Sequence, residues 1–231
     1  MKKFKNLYLW FLIPCVIAFT GFWFTYWSAF SEASFEKHLH GLSASLWFVL
    51  IIIQPYLIQK SKIDLHRQLG IIALFIAGAV VVSALQLIPT LLLLESEAKY
   101  SFILTDFVLI FGFSYSVIMA VLMRKNIDLH ARYIISSAFW AILPALSRLI
   151  YFPMASAYGY PTPLSFEQCV FISGTTGTVA VYVLIIRDYM MYKKVYKPYA
   201  ILAITLPAIL LTWDYFATAD WWEAVCNQIL K

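Results

Sequence analysis

The sequence predicts an all-α membrane protein, a polytopic bundle of about seven transmembrane helices. Of the 231 residues, 62% are hydrophobic and 13% are charged, whereas about a quarter of the residues in a soluble domain are charged. Apolar runs of about 20 residues, the length that a helix needs to cross a bilayer, recur along the chain. These runs are continuous rather than alternating, so they predict helices and not the strands of a barrel.

The predicted spans form a single integral membrane domain over residues 1–231. In chain order they are 7–29, 41–58, 68–94, 101–123, 132–152, 166–186 and 199–217. The first run follows Lys2, Lys3 and Lys5, as the apolar part of a signal peptide would. It is too long for a signal peptide and has no convincing small-x-small cleavage site, so we interpret it as a retained anchor.

The basic residues are distributed unevenly between the two sets of loops. With the N-terminus inside, the 17 Lys and Arg residues divide into 13 on the cytoplasmic side and 3 on the other side, with Arg148 inside a span. Because loops rich in Lys and Arg stay in the cytoplasm, this distribution predicts an N-in, C-out protein of the cytoplasmic (inner) membrane. The net charge of +5 follows from these loops, so the lipid bilayer is the expected partner and nucleic acid is not.

One polar tetrapeptide occurs twice. Ile63–His66 and Ile127–His130 both read Ile-Asp-Leu-His, and residues 63–89 align without a gap with residues 127–153. The matches include Ser and Pro as well as the shared His and Asp. This internal repeat predicts a tandem duplication of helical hairpins, segments 2–3 and then 4–5, related by an axis along the membrane normal.

The repeat makes His66 and His130 symmetry mates at the cytoplasmic ends of the third and fifth segments. One interpretation places the iron of a b-type haem between the two imidazoles, with one ligand on each face of the porphyrin. Arg67 and Arg132 would then pair with the haem propionates.

A second interpretation of the tetrapeptide involves no cofactor. Asp64 and Asp128 are good N-cap residues, and a carboxylate suits the positive end of the helix dipole. The neighbouring His and Arg side chains would then contact lipid headgroups at the interface. The sequence leaves both interpretations open.

A second polar cluster is predicted at the outer end of the bundle. His40 opens segment 2, Gln86 lies near the outer end of segment 3, and Arg148 lies near the outer end of segment 5. Asp106 lies about one and a half turns below the outer surface in segment 4. Because ionisable residues within a span are costly, they usually face a partner or a cavity. We expect Asp106 and Arg148 to pair near His40, either as a structural ion pair or as part of a site for a small molecule, a quinone or a proton relay.

Five short motifs follow one another along the chain. They are His40-Gly41, Gln54-Pro55, His66-Arg67-x-x-Gly70, His130-Ala131-Arg132 and the late Arg148. Their order resembles a family of multi-pass bacterial membrane proteins that is known only as a domain of unknown function. The resemblance covers about residues 38–150, and Ala131 interrupts the second His-Arg pair. This resemblance implies no activity, but it singles out four residues: His40, His66, His130 and Arg148. The doubled hairpin is also similar in architecture to transmembrane b-type cytochromes.

Three functional hypotheses remain open. The first is a redox protein with haem b at the cytoplasmic end. The second is a cofactor-free module that binds or transports a small anionic or lipidic ligand through Arg148. The third is an accessory subunit or assembly factor, whose partner would be another membrane protein or a second copy of the chain. The sequence contains no catalytic triad, carboxylate pair or phosphate loop, which argues against a hydrolase, and apart from haem iron it predicts no metal.

Overall fold

The computed structural model describes residue 4 and residues 6–230, and this part of the chain is helical without strands. The lysines that precede the predicted anchor, Lys2, Lys3 and Lys5, lie outside the described residues. The α-helices are α1 (Leu7–Trp10), α2 (Leu12–Gly21), α3 (Phe35–Gln59), α4 (Ile63–Leu87), α5 (Lys99–Leu122), α6 (Ile127–Tyr158), α7 (Phe166–Tyr192), α8 (Lys197–Leu211), α9 (Trp213–Thr218) and α10 (Asp220–Ile229). Between them lie a π-helical segment, Trp23–Trp27, and two 3-10 segments, Phe30–Glu32 and Ile88–Leu93.

Five helical segments within the described residues are long and apolar enough to cross a membrane. They are Phe35–Gln59, Ile63–Leu93, Lys99–Leu122, Ile127–Tyr158 and Phe166–Tyr192. Two shorter apolar helical segments, Leu7–Gly21 and Lys197–Leu211, flank these five. Large apolar side chains also point outward, as lipid-facing side chains do. The exposed fraction is 75% for Phe75 and 71% for Ile204. The prediction of a helical membrane bundle is therefore confirmed.

The long helices form two hairpins, α3 with α4 and α5 with α6, and α6 lies at the centre of the bundle. Helix α3 packs against α4, α5 packs against α6, and α6 also contacts α2, α7 and α8. Small residues allow this close packing: a methyl group on Gly112 would lie 2.5 Å from the Trp140 ring, and one on Gly177 would lie 2.7 Å from Leu143. We call the end of the bundle where α3 and α5 begin the cavity end, and the opposite end, where α4 and α6 begin, the histidine end.

Both copies of Ile-Asp-Leu-His begin a helix, but their aspartates are not the caps. The N-cap of α4 is Lys62, which makes no side-chain capping bond. The N-cap of α6 is Asn126, whose side-chain oxygen accepts from a backbone N–H three residues later at 3.2 Å. The N-cap assignment of Asp64 and Asp128 was wrong, because both lie inside the first turn. Their carboxylates still suit the positive helix end there.

Candidate functional site

A cavity of about 360 Å³ lies inside the cavity end of the bundle. It is lined by α2, the π-helical segment, α3 to α6 and the 3-10 segment Ile88–Leu93. Its wall is mostly apolar or aromatic, with Phe22, Phe48, Leu109, Phe113 and Trp140 among the lining residues. Sites for small molecules typically have volumes of about 300–1,000 Å³, apolar walls and a few convergent polar groups. This cavity has the size and the wall of such a site.

Three of the four residues predicted for the outer site line this cavity. They are His40 from α3, Asp106 from α5 and Arg148 from α6. The fourth, Gln86, does not line the cavity and is exposed on α4. The sequence therefore predicted which helices carry these three residues, because the distance of each residue from the end of its span can be counted.

Arg148 and Asp106 share the cavity without forming the expected ion pair. Within the described residues, neither side chain has a salt-bridge partner. One guanidinium nitrogen of Arg148 donates to the backbone carbonyl of Pro144 at 2.9 Å, and the guanidinium carbon lies 5.1 Å from the centre of the Phe22 ring. The remaining N–H groups of Arg148 are thus available to a molecule in the cavity, and so are the carboxylate oxygens of Asp106.

His40 is fixed by a hydrogen bond to α4. Its Nδ1 lies 3.2 Å from the hydroxyl oxygen of Ser83, and that hydroxyl lies 2.6 Å from the carbonyl of Ala79. Because the serine proton is directed at the carbonyl, the serine oxygen accepts from His40 Nδ1–H. The other ring nitrogen of His40, Nε2, is then an acceptor.

Two buried donors near the cavity have no hydrogen-bond partner in the described part of the chain. They are the indole N–H of Trp47 and the hydroxyl of Thr25, and both residues line the cavity. Trp47 is only 3% exposed. Buried polar groups are almost always paired, and leaving one unpaired costs about 1–3 kcal/mol. A molecule in the cavity that accepts hydrogen bonds would satisfy these donors once their side chains turn toward it.

Aromatic side chains border the cavity near the start of α3. The ring of Tyr26, in the π-helical segment, packs directly on Gly41, where a methyl group would lie 2.5 Å from it. Tyr26 also hydrogen-bonds through its hydroxyl to Nδ1 of His38, at 3.2 Å. Lys37 lines the cavity as well and is exposed, so the cavity reaches solvent on this side. Segments of π-helix occur often at functional sites.

The two predicted haem ligands meet at the histidine end. The ring centres of His66 and His130 lie 6.4 Å apart, with an angle of 80° between the ring planes. His130 donates through Nδ1 to the carbonyl of Ala120 at 2.7 Å. With its amide oriented to satisfy both neighbours, Gln54 donates to Nδ1 of His66 and accepts from the backbone N–H of Gly70 at 3.0 Å. These bonds orient both rings through Nδ1.

The two arginines predicted to pair with haem propionates are placed differently. Arg132 is 2% exposed and forms a buried ion pair with Asp188 of α7, with 2.6 Å between its Nε and the carboxylate. Its guanidinium carbon also lies 3.6 Å from the centre of the Tyr196 ring. Arg67 is exposed and lies 3.7 Å from the carboxylate of Asp64. Arg132 is therefore held in the protein interior by these contacts. Of the two arginines, only Arg67 is exposed enough to contact a haem propionate.

Comparison of the chain with protein-family models, with curated proteins and with solved structures gives no match. Among the described residues, no group of three or more His, Cys, Asp or Glu side chains is arranged to hold a metal ion. Function therefore has to be inferred from the geometry of the cavity and of the histidine pair.

Proposed function

We propose that this protein is an integral membrane module that binds or transports a small amphipathic acid in the cavity that contains Arg148. The observation that carries this proposal is a partly buried guanidinium with no carboxylate bound to it among the described residues, placed in an apolar cavity beside further unpaired donors. Such an arrangement recognises an anion that has an apolar body. The carboxylate of the ligand would accept from Arg148, and from Trp47 and Thr25 once their donors turn toward the cavity, and its apolar part would contact the aromatic wall.

The polar groups of the cavity favour an acceptor over a donor as the ligand. A guanidinium has five N–H donors, and only one of those of Arg148 is used within the described residues. Trp47 and Thr25 add one donor each. The acceptors are the Asp106 carboxylate and His40 Nε2. An acid group matches the larger set, because charge-assisted hydrogen bonds to a guanidinium are about twice as strong as neutral ones.

We further infer that the chain crosses the membrane seven times, N-in and C-out, in the cytoplasmic membrane. Continued through the π-helical segment, the first apolar helix covers residues 7–27, and α8 with α9 covers residues 197–218. Each stretch is about 30 Å long at 1.5 Å per residue, the thickness of the hydrocarbon core. The cavity would then open outward.

A cysteine introduced at exposed Lys125 should react with an impermeant maleimide only after permeabilisation of the cells, because this orientation places residue 125 in the cytoplasm. Reaction in intact cells would refute this orientation.

The proposed function is tested by comparing two probes of nearly the same shape, 2-naphthoate and neutral 2-naphthol, on the purified protein in lipid nanodiscs. The wild type is expected to bind 2-naphthoate saturably, at one site, and at least about tenfold more tightly than 2-naphthol, which corresponds to about 1.4 kcal/mol. Equilibrium dialysis against empty nanodiscs corrects for partition into lipid. Equal binding of both probes after that correction would contradict recognition of an anion.

A cavity-filling variant shows whether this binding occurs in the cavity. Ala84 of α4 lines the cavity, so Ala84→Phe should abolish binding of both probes by occupying their space. The matched control is Val82→Phe, on the same helix but exposed, which should bind like the wild type. Retained binding in Ala84→Phe would place the site elsewhere.

A second function is supported by the approach of His66 and His130. Metal–imidazole bonds are about 2 Å long, so the 6.4 Å between the ring centres suits one iron between the rings. Orientation of a ligand histidine through its other nitrogen, as His130 is oriented by Ala120, is typical of metal-binding histidines. Haem bound there would supply one-electron transfer. His66 and His130 would hold the iron, whereas Arg132 does not suit the role of a propionate partner.

An optical spectrum of the protein in mild detergent, before and after dithionite, tests the haem proposal. A bis-histidine haem would give a Soret band that sharpens on reduction and a resolved α band, and both should be lost in His130→Ala. His38→Ala is the control, because His38 lies at the opposite end and hydrogen-bonds Tyr26. If the folded protein, grown with haem supplied, shows no Soret band, the histidine pair has another role.

A further inference from the structure

The inner part of the cavity is balanced in charge. Arg148 contributes one positive charge and Asp106 one negative charge, and they are not in direct contact. The other titratable groups that line the same cavity are His40 and Lys37 of α3 and Tyr26 of the π-helical segment, whereas α4 lines it only with apolar side chains. Because Lys37 is exposed, solvent screens its charge.

An acid anion that binds to Arg148 disturbs this balance. It brings a second carboxylate into the cavity that contains Asp106, which has aromatic and aliphatic walls. Like charges repel strongly where the local dielectric constant is low. Two carboxylates that share one such site cannot both remain ionised without a large cost, so a proton binds to one of them.

We propose that the cavity binds the acid anion together with a proton, and that Asp106 carries the proton. This inference rests on the proposed function. The anion enters as a carboxylate and binds Arg148, one proton from bulk water binds a carboxylate oxygen of Asp106, and the net charge of the inner cavity returns to zero. No bond in the ligand is made or broken.

His40 is the other group that could take this proton, because its Nε2 has no partner in the described residues. Protonation of His40 would create a second cation near Arg148, while Asp106 and the bound acid both stayed charged. Protonation of Asp106 removes a charge instead. Both arrangements have no net charge, but the first places four charges in the cavity and the second only two. Since each charge in an apolar site costs desolvation energy, the proton goes to Asp106.

Linkage makes this coupling measurable. If binding of the acid promotes binding of a proton, then a proton promotes binding of the acid by the same factor. Where Asp106 is ionised in the free protein and protonated in the complex, affinity for 2-naphthoate should rise up to about tenfold for each unit by which the pH falls. The affinity for 2-naphthol should not change with pH.

The experiment is isothermal titration of 2-naphthoate into the protein in nanodiscs at pH 7, in buffers with different enthalpies of ionisation. The dependence of the observed heat on the buffer gives the number of protons taken up per bound ligand. The wild type should take up close to one proton, and Asp106→Asn should take up none and bind with an affinity independent of pH. Asp214→Asn is the matched control, since Asp214 is exposed on α9 and outside the cavity, and it should behave like the wild type.

The outcomes separate this inference from the proposed function. Binding of 2-naphthoate without proton uptake by the wild type would overturn the coupling and leave the acid site intact. Full uptake by Asp106→Asn would overturn the assignment to Asp106 and point to His40. Absence of 2-naphthoate binding at every pH would overturn both proposals. A circular dichroism spectrum and a thermal unfolding midpoint of Asp106→Asn that match those of the wild type show that this variant is folded.

Discussion

Replacing Arg148 with glutamine is expected to weaken the binding of 2-naphthoate by about 10- to 100-fold. Hydrogen bonds to a charged group contribute about 1.5–3 kcal/mol, and each 1.4 kcal/mol is about a tenfold change in affinity. Glutamine keeps a polar side chain of moderate length in the cavity but removes the charge and most of the donors. Binding of neutral 2-naphthol should therefore change by less than about threefold, which is about 0.6 kcal/mol.

Equilibrium dialysis with both probes distinguishes this effect from a loss of structure. Arg124→Gln is the control, because Arg124 is exposed at the histidine end and bonds only to the carbonyl of Val121 within the described residues. It should bind both probes like the wild type. If Arg148→Gln lost both probes equally, Arg148 would be supporting the shape of the cavity rather than recognising an anion.

The second large effect is expected at the buried ion pair between Arg132 and Asp188. Arg132→Met should lower the free energy of unfolding by about 3–5 kcal/mol, because it leaves a buried carboxylate without its partner. The pair joins α6 to α7, and the guanidinium also bonds the backbone carbonyl of Asp128 at 2.9 Å. Equilibrium unfolding in mixed micelles, followed by circular dichroism, measures the loss.

A double substitution tests whether the unpaired charge causes this loss. Arg132→Met combined with Asp188→Leu should recover most of the lost stability, since apolar residues of similar volume often replace a buried ion pair at little cost. Arg67→Met should change the free energy of unfolding by less than about 1 kcal/mol, because its pair with Asp64 is exposed. If the double variant were as unstable as Arg132→Met, packing and not the unpaired charge would explain the result.

Some polar residues of the cavity were predicted from the sequence, and others were not. Asp106 and Arg148 were recognised because ionisable residues are rare within apolar spans, and their depth could be counted from the span ends. Trp47 and Thr25 were missed. Within an apolar run, a tryptophan without a hydrogen-bond partner cannot be distinguished from one that anchors at the interface, because the difference depends on the packing of other helices around it.

The ion pair of Arg132 was missed for a different reason. The sixth predicted span ended at residue 186, whereas α7 continues to Tyr192 and includes Asp188. Hydropathy ends a span where polar residues begin, but the backbone hydrogen bonds of the helix continue past that point. Two opposite charges at the same membrane level could have suggested a pair, and the short predicted span hid this signal.

The histidine end was predicted in part. The duplicated tetrapeptide led to the expectation that His66 and His130 lie at one end of the bundle, and the structure places their rings 6.4 Å apart. The contact between Gln54 and His66 was not predicted. A contact between side chains of neighbouring helices depends on the rotation of each helix, which the repeat does not determine.

The occupied cavity can be observed most directly through Trp47. Labelling the eight tryptophans with 5-fluorotryptophan and assigning the signal of residue 47 from Trp47→Phe gives a ¹⁹F NMR probe of the unpaired indole. Saturating 2-naphthoate should shift the Trp47 signal and leave that of Trp221, which is exposed on α10, in place. If 2-naphthoate saturates the protein while only exposed tryptophans shift, the acid binds outside the cavity and the proposed function is refuted.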